Sequence, residues 1–343
     1  MLRRLEIAAT TFSENECWYF PAQINRLYSK NILTGELSDC GSVPWETEYA
    51  SLLYRSMEYI DGKVYLMPYS ARSIAVYDTK KKTFSQIELE EKRIQGKRFL
   101  FQACFSYDHK VFVFGIHVHT IIKINTEDDS IAYIDEWVDS AEKMLSAPHG
   151  ILSRSQIVYT ENRVLLPLFY GDVLLSFDCS EEKAKVIKLK TGSVGFSGAC
   201  CNSDGLWLVD RGGRIVCTDY KKTSIKRVFE IEKESINIDV YILDRNNSLN
   251  LFSTDSDRVH LIEQNIGLIG GKYECICSNT LYTAFWSYDT GQVIVYKNGS
   301  ETYLDMPIDV DDSVFRQIYY NAGYINESLG FGLKEFLADI GKR

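Results

Sequence analysis

The sequence predicts an all-β fold that is assembled from copies of one four-stranded antiparallel unit. Aromatic residues make up 13% of the chain, with 22 Tyr and 17 Phe against only 6 Pro, and aromatic side chains pack well on pleated sheet surfaces. Short apolar runs recur at a spacing of roughly 45 residues, which indicates a repeat architecture. A pair of turn-forming residues precedes each of these runs.

The recurring apolar run is the second strand of each unit. Its copies begin at Trp18, Val64, Val111, Val164, Leu206, Leu249 and Leu281. The turn pairs before them are Glu14-Asn15, Asp61-Gly62, Asp108-His109, Glu161-Asn162, Asp204-Gly205, Asn246-Asn247 and Asn279-Thr280. Residues of these types tolerate the positive φ angles that two-residue hairpins require. Because another strand-like run precedes each turn, the first two strands of each unit are predicted to form a hairpin.

A third strand follows each hairpin, and a weaker fourth strand completes the unit. Residues 73–78 and 173–178 are examples of the third strand, and most copies end in Asp or Asn, which favour turns. The inner strands are apolar at consecutive positions, as expected for sheets that are covered on both faces. We therefore predict a seven-bladed β-propeller of four-stranded antiparallel blades. A β-sandwich is the second interpretation, although its half-exposed sheets would show cleaner alternation.

The predicted propeller domain covers residues 1–312, and residues 313–343 follow it as a C-terminal segment that packs on the propeller. The blades lie near residues 5–41, 52–90, 100–134, 152–190, 194–231, 236–268 and 271–306.

One repeat reads Asp-Gly-Leu-Trp-Leu-Val-Asp-Arg-Gly-Gly-Arg-Ile-Val-Cys-Thr-Asp over residues 204–219. It resembles the repeats of NHL, PQQ-type and streptogramin-lyase-like propellers, and Pro148-His149-Gly150-Ile151 is similar to the start of a lyase-type repeat. The resemblance covers about residues 5–308 and implies the architecture. Because proteins of unrelated function share such repeats, it implies almost nothing about chemistry.

Three segments lie outside the repeat. Residues 135–146 have apolar side chains at helical spacing and predict a short helix between the third and fourth blades. Residues 328–340 predict an amphipathic C-terminal helix, which either packs on the ring or contacts a partner. Residues 313–320 predict one further strand, which could supplement the first blade, where the outer strand near residues 36–40 is weak.

Charge and cysteine content exclude several classes of partner. The formal net charge is −9 and no long basic run occurs, which argues against nucleic acid and anionic membranes as partners. The N-terminus lacks the apolar segment of a signal peptide, so we expect a cytoplasmic protein. The 9 cysteines lie mostly in apolar runs without a Cys-x-x-Cys pair. We therefore expect free buried thiols and no cofactor.

The connections between second and third strands are expected to surround one mouth of the central channel, where propellers usually carry their function. The ligand-binding candidates there are Tyr69, Arg72, His117, Tyr170, Asp210, Arg211 and Trp286. Aromatic rings beside Arg and Asp suit a saccharide-like ligand and equally suit a protein surface. Exposed loops of this composition also occur without any ligand. We predict a non-catalytic binding or scaffold propeller that recognises a protein or a saccharide-like ligand.

A metal-assisted lyase or hydrolase is the alternative function. His117 and His119 are at alternating positions of a predicted strand, which places them on one face, and His149 could join them as a third imidazole ligand of a divalent metal. The sequence has no Gly-x-Ser-x-Gly elbow, no His-Glu-x-x-His motif and no phosphate-binding loop, so the familiar enzyme templates are not met. Without other evidence, two histidines near a strand end are more often ordinary hydrogen-bonded side chains.

Overall fold

The computed structural model describes residues 2–47, 52–97, 99–145, 158–160, 162–202, 205–210, 214–219, 224–230, 240–245, 248–253, 259–261, 273–278, 282–287, 291–297 and 303–321. Within this part of the chain, six sheets contain four strands each and one contains three, and every such sheet is built from strands that are consecutive in the sequence. The prediction of an all-β fold made of four-stranded antiparallel sheets is confirmed.

We number the sheets in chain order. The first sheet consists of β2 (Ile7–Phe12), β3 (Glu16–Pro21), β4 (Leu27–Asn31) and β5 (Leu37–Gly41). The second consists of β6 (Tyr54–Ile60), β7 (Lys63–Pro68), β8 (Ser73–Asp78) and β9 (Thr83–Glu88). The third consists of β10 (Phe101–Tyr107), β11 (Lys110–Gly115), β12 (Ile121–Asn125) and β13 (Ile131–Ile134). The fourth consists of β14 (Val158–Thr160), β15 (Arg163–Pro167), β16 (Val173–Asp178) and β17 (Lys183–Lys188).

The remaining sheets follow the same order. The fifth consists of β18 (Phe196–Asn202), β19 (Gly205–Asp210), β20 (Arg214–Asp219) and β21 (Ser224–Glu230). The sixth consists of β22 (Val240–Arg245), β23 (Ser248–Ser253) and β24 (Val259–Leu261). The seventh consists of β25 (Tyr273–Ser278), β26 (Tyr282–Ser287), β27 (Val293–Lys297) and β28 (Tyr303–Asp305).

Two short helices lie in the links between sheets. Helix α1 (Glu91–Ile94) follows the second sheet, and α2 (Val138–Glu142) follows the third. The position of α2 confirms the predicted helix in residues 135–146. None of the described helices is long and apolar enough to span a membrane.

The first strand of each sheet lies on the side where neighbouring sheets converge. Strand β2 contacts β6, β6 contacts β10, and β18 contacts β22. The fourth strands are much more exposed, as the alternating exposure along β9 and β17 shows. The first strands are therefore the inner strands, and the fourth strands form the outer edge.

Apolar faces hold neighbouring sheets together. Phe112 of the third sheet packs against Phe177 of the fourth, with ring centroids 4.8 Å apart. Tyr19 of the first sheet shares a buried cluster with Tyr282 and Val295 of the seventh. The first and last sheets of the chain are thus in direct contact through the core.

The hairpin turns explain the residues that recur in the sequence. Asp61 and Gly62 have φ angles of 53° and 77°, and Asp108 and His109 have 47° and 55°, as a type I′ hairpin requires. At the end of the third strand, the Asp78 carboxylate accepts hydrogen bonds from the N–H groups of the second and third residues that follow it. Asp and Asn at this position stabilise the turn into the fourth strand.

The first strand of the chain pairs with a strand that follows the seventh sheet, in a small separate sheet. Strand β1 (Leu2–Arg4) is antiparallel to β29 (Asp309–Asp311), and Arg4 Nε donates to Asp309 Oδ1 at 3.0 Å. Helix α3 (Asp312–Asn321) follows, and its Phe315 ring lies 4.4 Å from the guanidinium of Arg3. We call β1, β29 and α3 together the clasp.

The predicted strand at residues 313–320 is wrong, because these residues form most of α3. Asp311 Oδ1 accepts a hydrogen bond from the Ser313 N–H at 2.8 Å, which is the contact of a helix N-cap. Phe315 and Ile318 also have helical spacing. No supplementing strand joins the first sheet, because the described β5 pairs with β4 and the short β29 pairs with β1. The predicted helix at residues 328–340 lies outside the described residues, and the division of the chain at residue 312 stays a prediction.

Candidate functional site

Each sheet has two ends, which carry different connections between its strands. We call the end where second strands run into third strands the loop face. The opposite end, which carries the turns between first and second and between third and fourth strands, is the turn face. The sheet-to-sheet links also reach the loop face, because each inner strand begins there: Tyr54 at the start of β6 pairs with Pro68 at the end of β7.

A β-bulge interrupts four of the inner strands at the same place on the loop face. The register shifts fall between Ile7 and Ala9, Tyr54 and Ser56, Phe101 and Ala103, and Phe196 and Gly198. The extra residues are Ala8, Arg55, Gln102 and Ser197. A bulge re-aims the side chain of its extra residue, and among these four the half-buried Arg55 is the one whose side-chain contacts at the loop face are described below.

In the second sheet, the bulge places Arg55 in a stack of side chains. The Arg55 guanidinium lies 5.4 Å from the Tyr69 ring centroid, within the range of a cation–π contact. Tyr69 stacks on Phe99 at 4.7 Å with an interplanar angle of 28°, and the His117 ring lies 6.1 Å from Phe99. These four residues, which we call the aromatic patch, come from the second and third sheets and the link between them.

Within the aromatic patch, Phe99 is the side chain most open to solvent. It is 43% exposed, whereas Tyr69 beneath it is 6% exposed. Its φ angle is 60°, a conformation that costs a bulky residue of the order of 1–3 kcal/mol. Two hydrogen bonds fix the backbone of Leu100, the residue after Phe99. The Leu100 N–H donates to the Tyr69 carbonyl, and the Leu100 carbonyl accepts from the Ile116 N–H. An exposed aromatic ring in a strained and fixed backbone is the most distinctive feature of the loop face.

Arg72 stabilises the link that carries Phe99. Its Nη1 donates to the carbonyl oxygens of Ile94, at 3.2 Å, and Lys97, at 3.3 Å. These carbonyls belong to the last residue of α1 and to the stretch after it, where helix carbonyls lack partners within the helix. Arg72 remains exposed. The predicted candidate therefore lies at the loop face and also has a structural role there.

The two histidines do not share a strand face, so this part of the metal hypothesis is wrong. Residues 116–120 form a bend after β11. The His117 ring faces Phe99 in the link before the third sheet. His119 Nδ1 instead lies 3.0 Å from Glu142 Oε1 of α2, in the link after that sheet. His149 lies outside the described residues, and within the described part no group of His, Cys, Asp or Glu is arranged to hold a metal ion.

Tyr170 lies on the loop face between the fourth and fifth sheets. Its ring meets Phe169 edge to face, with centroids 4.9 Å apart. Next to it, the Gly171 N–H donates to the carbonyl of Val194, which is 63% exposed. At Gly195 a Cβ atom would lie 1.9 Å from the Phe169 carbonyl oxygen, so only glycine permits this close approach.

Asp210 and Trp286, which were predicted to line the mouth, are buried in the structure. Asp210 is 1% exposed, and its Oδ2 accepts hydrogen bonds from the Arg214 guanidinium at 2.5 and 3.2 Å. This pair braces the start of β20, because Arg214 also donates to the Thr191 carbonyl. Trp286 is a residue of β26, 6% exposed, in the core shared by the first and seventh sheets. Arg211 lies outside the described residues.

Arg55, Phe99 and Val194 were not predicted as site residues. The predicted candidates came from the connections between second and third strands, whereas these three residues belong to an inner strand or to the links between sheets. The signal for Phe99 and Val194 was present, since both stand two residues before the start of an inner strand, at Phe101 and Phe196. Arg55 could not be found, because a bulge leaves no pattern in one short strand.

A polar pair lies deeper between the inner strands of the second and third sheets. Ser106 Oγ donates to Glu58 Oε1 at 2.7 Å, and the Ser56 hydroxyl lies 2.9 Å from Cys104 Sγ. Glu58 keeps some access to solvent but is surrounded by protein. Burial raises the pKa of Glu58 to about 7, although the hydrogen bonds from Ser106 oppose this shift. Burial likewise raises the pKa of the Cys104 thiol well above its usual value, so this thiol is a poor nucleophile.

Comparison with known proteins shows similarity at the level of the fold. No protein-family model matches the sequence, and no curated protein matches it either. Among solved structures, the computationally designed Ika8 protein gives a TM-score of 0.57 at 13% identity, over 90% of this chain and 87% of that one.

Two natural structures are similar as well. The WD40 domain of Pan2 from Neurospora crassa gives a TM-score of 0.50 at 9% identity, over 71% of each chain. A chain of the Mitotic Checkpoint Complex gives 0.51 at 9% identity, over 90% of this chain and 81% of that one. The structural neighbours thus include WD40 propeller domains and a designed propeller. At these identities the likeness concerns the fold alone: this chain is all-β, with four-stranded antiparallel sheets and propellers as its structural neighbours.

Proposed function

We propose that this chain is a non-catalytic binding propeller that recognises a polypeptide partner at its loop face. The observation that carries the proposal is Phe99, an exposed aromatic side chain that is held in a strained backbone on top of a buried ring. Strain of this kind persists only where the surroundings impose it, and it is concentrated at functional sites. Aromatic and Arg side chains are the residues that dominate protein–protein binding energy.

The inferred architecture is a ring of seven blades, one for each of the seven sheets. The core contact between the first and seventh sheets supports a closed ring, as does the pairing of β1 with β29 in the clasp. In such a ring the inner strands surround an axis, and the four bulges that share one position lie around the mouth on the loop face. The likeness to WD40 propellers agrees with a scaffold that binds other proteins.

A polypeptide is a better candidate than a saccharide because of the packing around Tyr69. Tyr69, the aromatic residue predicted to stack on a sugar, has no open face for one, because Arg55 and Phe99 both lie against this almost fully buried ring. The metal-assisted lyase or hydrolase would need His117, His119 and His149 to converge. His117 and His119 face different links, so no observation on the described residues favours that alternative.

Photo-crosslinking in the native host tests the proposal. Phe99 is replaced by benzoyl-phenylalanine, and the control carries the same residue in place of Leu33, which is 81% exposed on the turn face. We expect a discrete protein adduct from position 99 and none from position 33. No adduct from position 99, or the same adducts from both positions, would contradict the proposal.

A further inference from the structure

We infer that the partner presents an acidic segment with one large apolar side chain, which docks on Phe99 while neighbouring carboxylates bind Arg72 and Lys97. This inference rests on the proposed function and adds the chemistry of the partner. It follows from three properties of the aromatic patch and the link beside it: an apolar contact point, cationic groups that have no carboxylate partner among the described residues, and fixed geometry.

The apolar contact point is Phe99. Its ring is supported from below by Tyr69 at 4.7 Å, so a ligand side chain meets a surface that does not collapse when the ligand leaves. Burying the exposed part of such a ring is favourable at roughly 25 cal/mol per Å² of apolar surface. One aliphatic or aromatic side chain of the partner can supply this contact.

Arg72 supplies the first cationic group. Only Nη1 of its guanidinium makes hydrogen bonds within the described part of the chain, and both acceptors are backbone carbonyls. Its Nε and Nη2 groups therefore remain available, in the fork geometry that binds carboxylates. Because Nη1 is fixed by Ile94 and Lys97, the guanidinium loses little freedom when it binds an anion.

Lys97 supplies the second cationic group. It lies two residues before Phe99 in the same link, and in the described structure its ammonium forms no ion pair. Burial raises the pKa of Glu46, a carboxyl in the link before the second sheet. In the described part of the chain no hydrogen bond joins Glu46 to the Arg72 guanidinium.

Several other cations of these sheets are bound to carboxylates. Lys63 pairs with Asp129 at 2.8 Å, and Lys110 pairs with Glu182 at 3.0 Å. Arg93, in α1, pairs with both Glu90 and Asp135. In a chain of net charge −9, two cations beside an exposed aromatic ring select an acidic partner over a basic one.

Binding of defined peptides to the purified full chain tests the inference. The probe is a fluorescein-labelled oligoglutamate peptide with one central tryptophan, measured by fluorescence anisotropy. Its matched controls replace every glutamate by glutamine or the tryptophan by serine. We expect each control peptide to bind at least about tenfold more weakly, since about 1.4 kcal/mol corresponds to a tenfold change.

Variants of the chain locate the site. Lys97→Glu and Phe99→Ser should each weaken binding of the tryptophan-containing oligoglutamate several-fold, and Arg72→Glu should weaken it further. Lys80→Glu/Lys82→Glu, which alters the exposed turn between β8 and β9 on the turn face, should leave binding unchanged. Because Arg72→Glu removes the hydrogen bonds to the link after α1, Lys97→Glu is the decisive variant: in the described structure its ammonium makes no hydrogen bond or ion pair that the substitution would remove.

Three outcomes would overturn the inference: equal binding of the glutamine peptide, an equal loss in the turn-face variant, or displacement of the probe by a neutral oligosaccharide. An adduct from the crosslinker at position 99 together with any of these results would leave the proposed function standing. Failure of both experiments would remove the proposed function as well.

Discussion

The turn face and the loop face of the second and third sheets are held together by different interactions. On the turn face, charged side chains cross from one sheet to the next: Lys63 binds Asp129 at 2.8 Å, and His109 Nδ1 lies 2.8 Å from Asp61. On the loop face, the same two sheets meet through the stack of Tyr69, Phe99 and His117. Directional ion pairs fix the turn face, whereas the loop face presents an apolar and cationic surface to solvent. The comparison implies that stability and binding can be altered separately.

Removing the Asp129 carboxylate should have the largest effect on stability. It accepts hydrogen bonds from Lys63 Nζ at 2.8 Å and from Tyr65 Oη at 2.7 Å, and Asp129→Ala leaves both donors without it. We expect a loss of roughly 3 kcal/mol in the free energy of unfolding, since hydrogen bonds to charged groups contribute about 1.5–3 kcal/mol each and are not additive. Urea denaturation measures this loss in the free energy of unfolding. The folded variant should bind the acidic peptide probe as the parent does. A loss of affinity for the peptide in this variant would show that stability and binding cannot be altered separately.

The Glu58 carboxyl, between the two faces, should make stability depend on pH. Its pKa is raised to about 7 in the folded state, so the folded protein holds this proton more tightly than the unfolded chain. This contribution to stability is complete below the unfolded pKa of about 4.3 and is lost as the pH rises through about 7. Glu58→Gln keeps an acceptor for Ser106 and removes the charge.

We therefore expect Glu58→Gln to be more stable than the parent by about 2 kcal/mol at pH 8, with a smaller difference at pH 5. Urea midpoints at the two pH values test this expectation. A difference that is the same at both pH values would show that Glu58 does not titrate in this range.

On the loop face, Phe99→Asn should change stability by less than about 1 kcal/mol, because relief of the positive-φ strain offsets the lost ring stacking. Thermal unfolding checks this expectation. The same variant should lose most of its affinity for the acidic peptide probe. If Phe99→Asn lost as much stability as Asp129→Ala, the aromatic patch would serve to hold the second and third sheets together and not to bind a partner.

The smallest effect is expected at the His109–Asp61 pair on the turn face. The hydrogen bond to the Asp61 carboxylate raises the pKa of His109, so the stabilisation is complete below the unfolded pKa and is lost as the pH rises through the folded one. In Asp61→Asn the pKa of His109 should fall, as an NMR titration of its ring protons would show. An unchanged pKa would mean that this exposed pair does not form in solution.

The sequence predicted the features that depend on local patterns. The four-stranded antiparallel sheets were predictable because buried apolar runs alternate with turn pairs such as Asp61-Gly62, whose φ angles the structure shows to be positive. The sequence predicts a strand at residues 313–320 because a short run of apolar and aromatic residues is typical of strands. The N-cap hydrogen bond from Ser313 N–H to Asp311, which begins the helix, is visible only in the folded structure.

The candidate site was less predictable, because side chains that share a composition differ in burial. Trp286 and Phe99 are both aromatic residues at the loop-face ends of sheets, yet Trp286 is 6% exposed and Phe99 is 43% exposed. The difference arises from packing between the first and seventh sheets, which no single segment encodes. Arg55 reaches the site through a register shift, which depends on the partner strand as well as on its own residues.

The bulge that recurs in four inner strands keeps its position while its extra residue differs from strand to strand. One backbone irregularity occurs at the same place in four sheets, while the residue that it adds is Ala8, Arg55, Gln102 or Ser197. Since the extra residue does not belong to the regular ladder, its identity can change with little consequence for strand pairing. Position 55, where the side chain is half-buried at the loop face, is thus a natural site for a substitution library in which new specificities are selected on an unchanged scaffold.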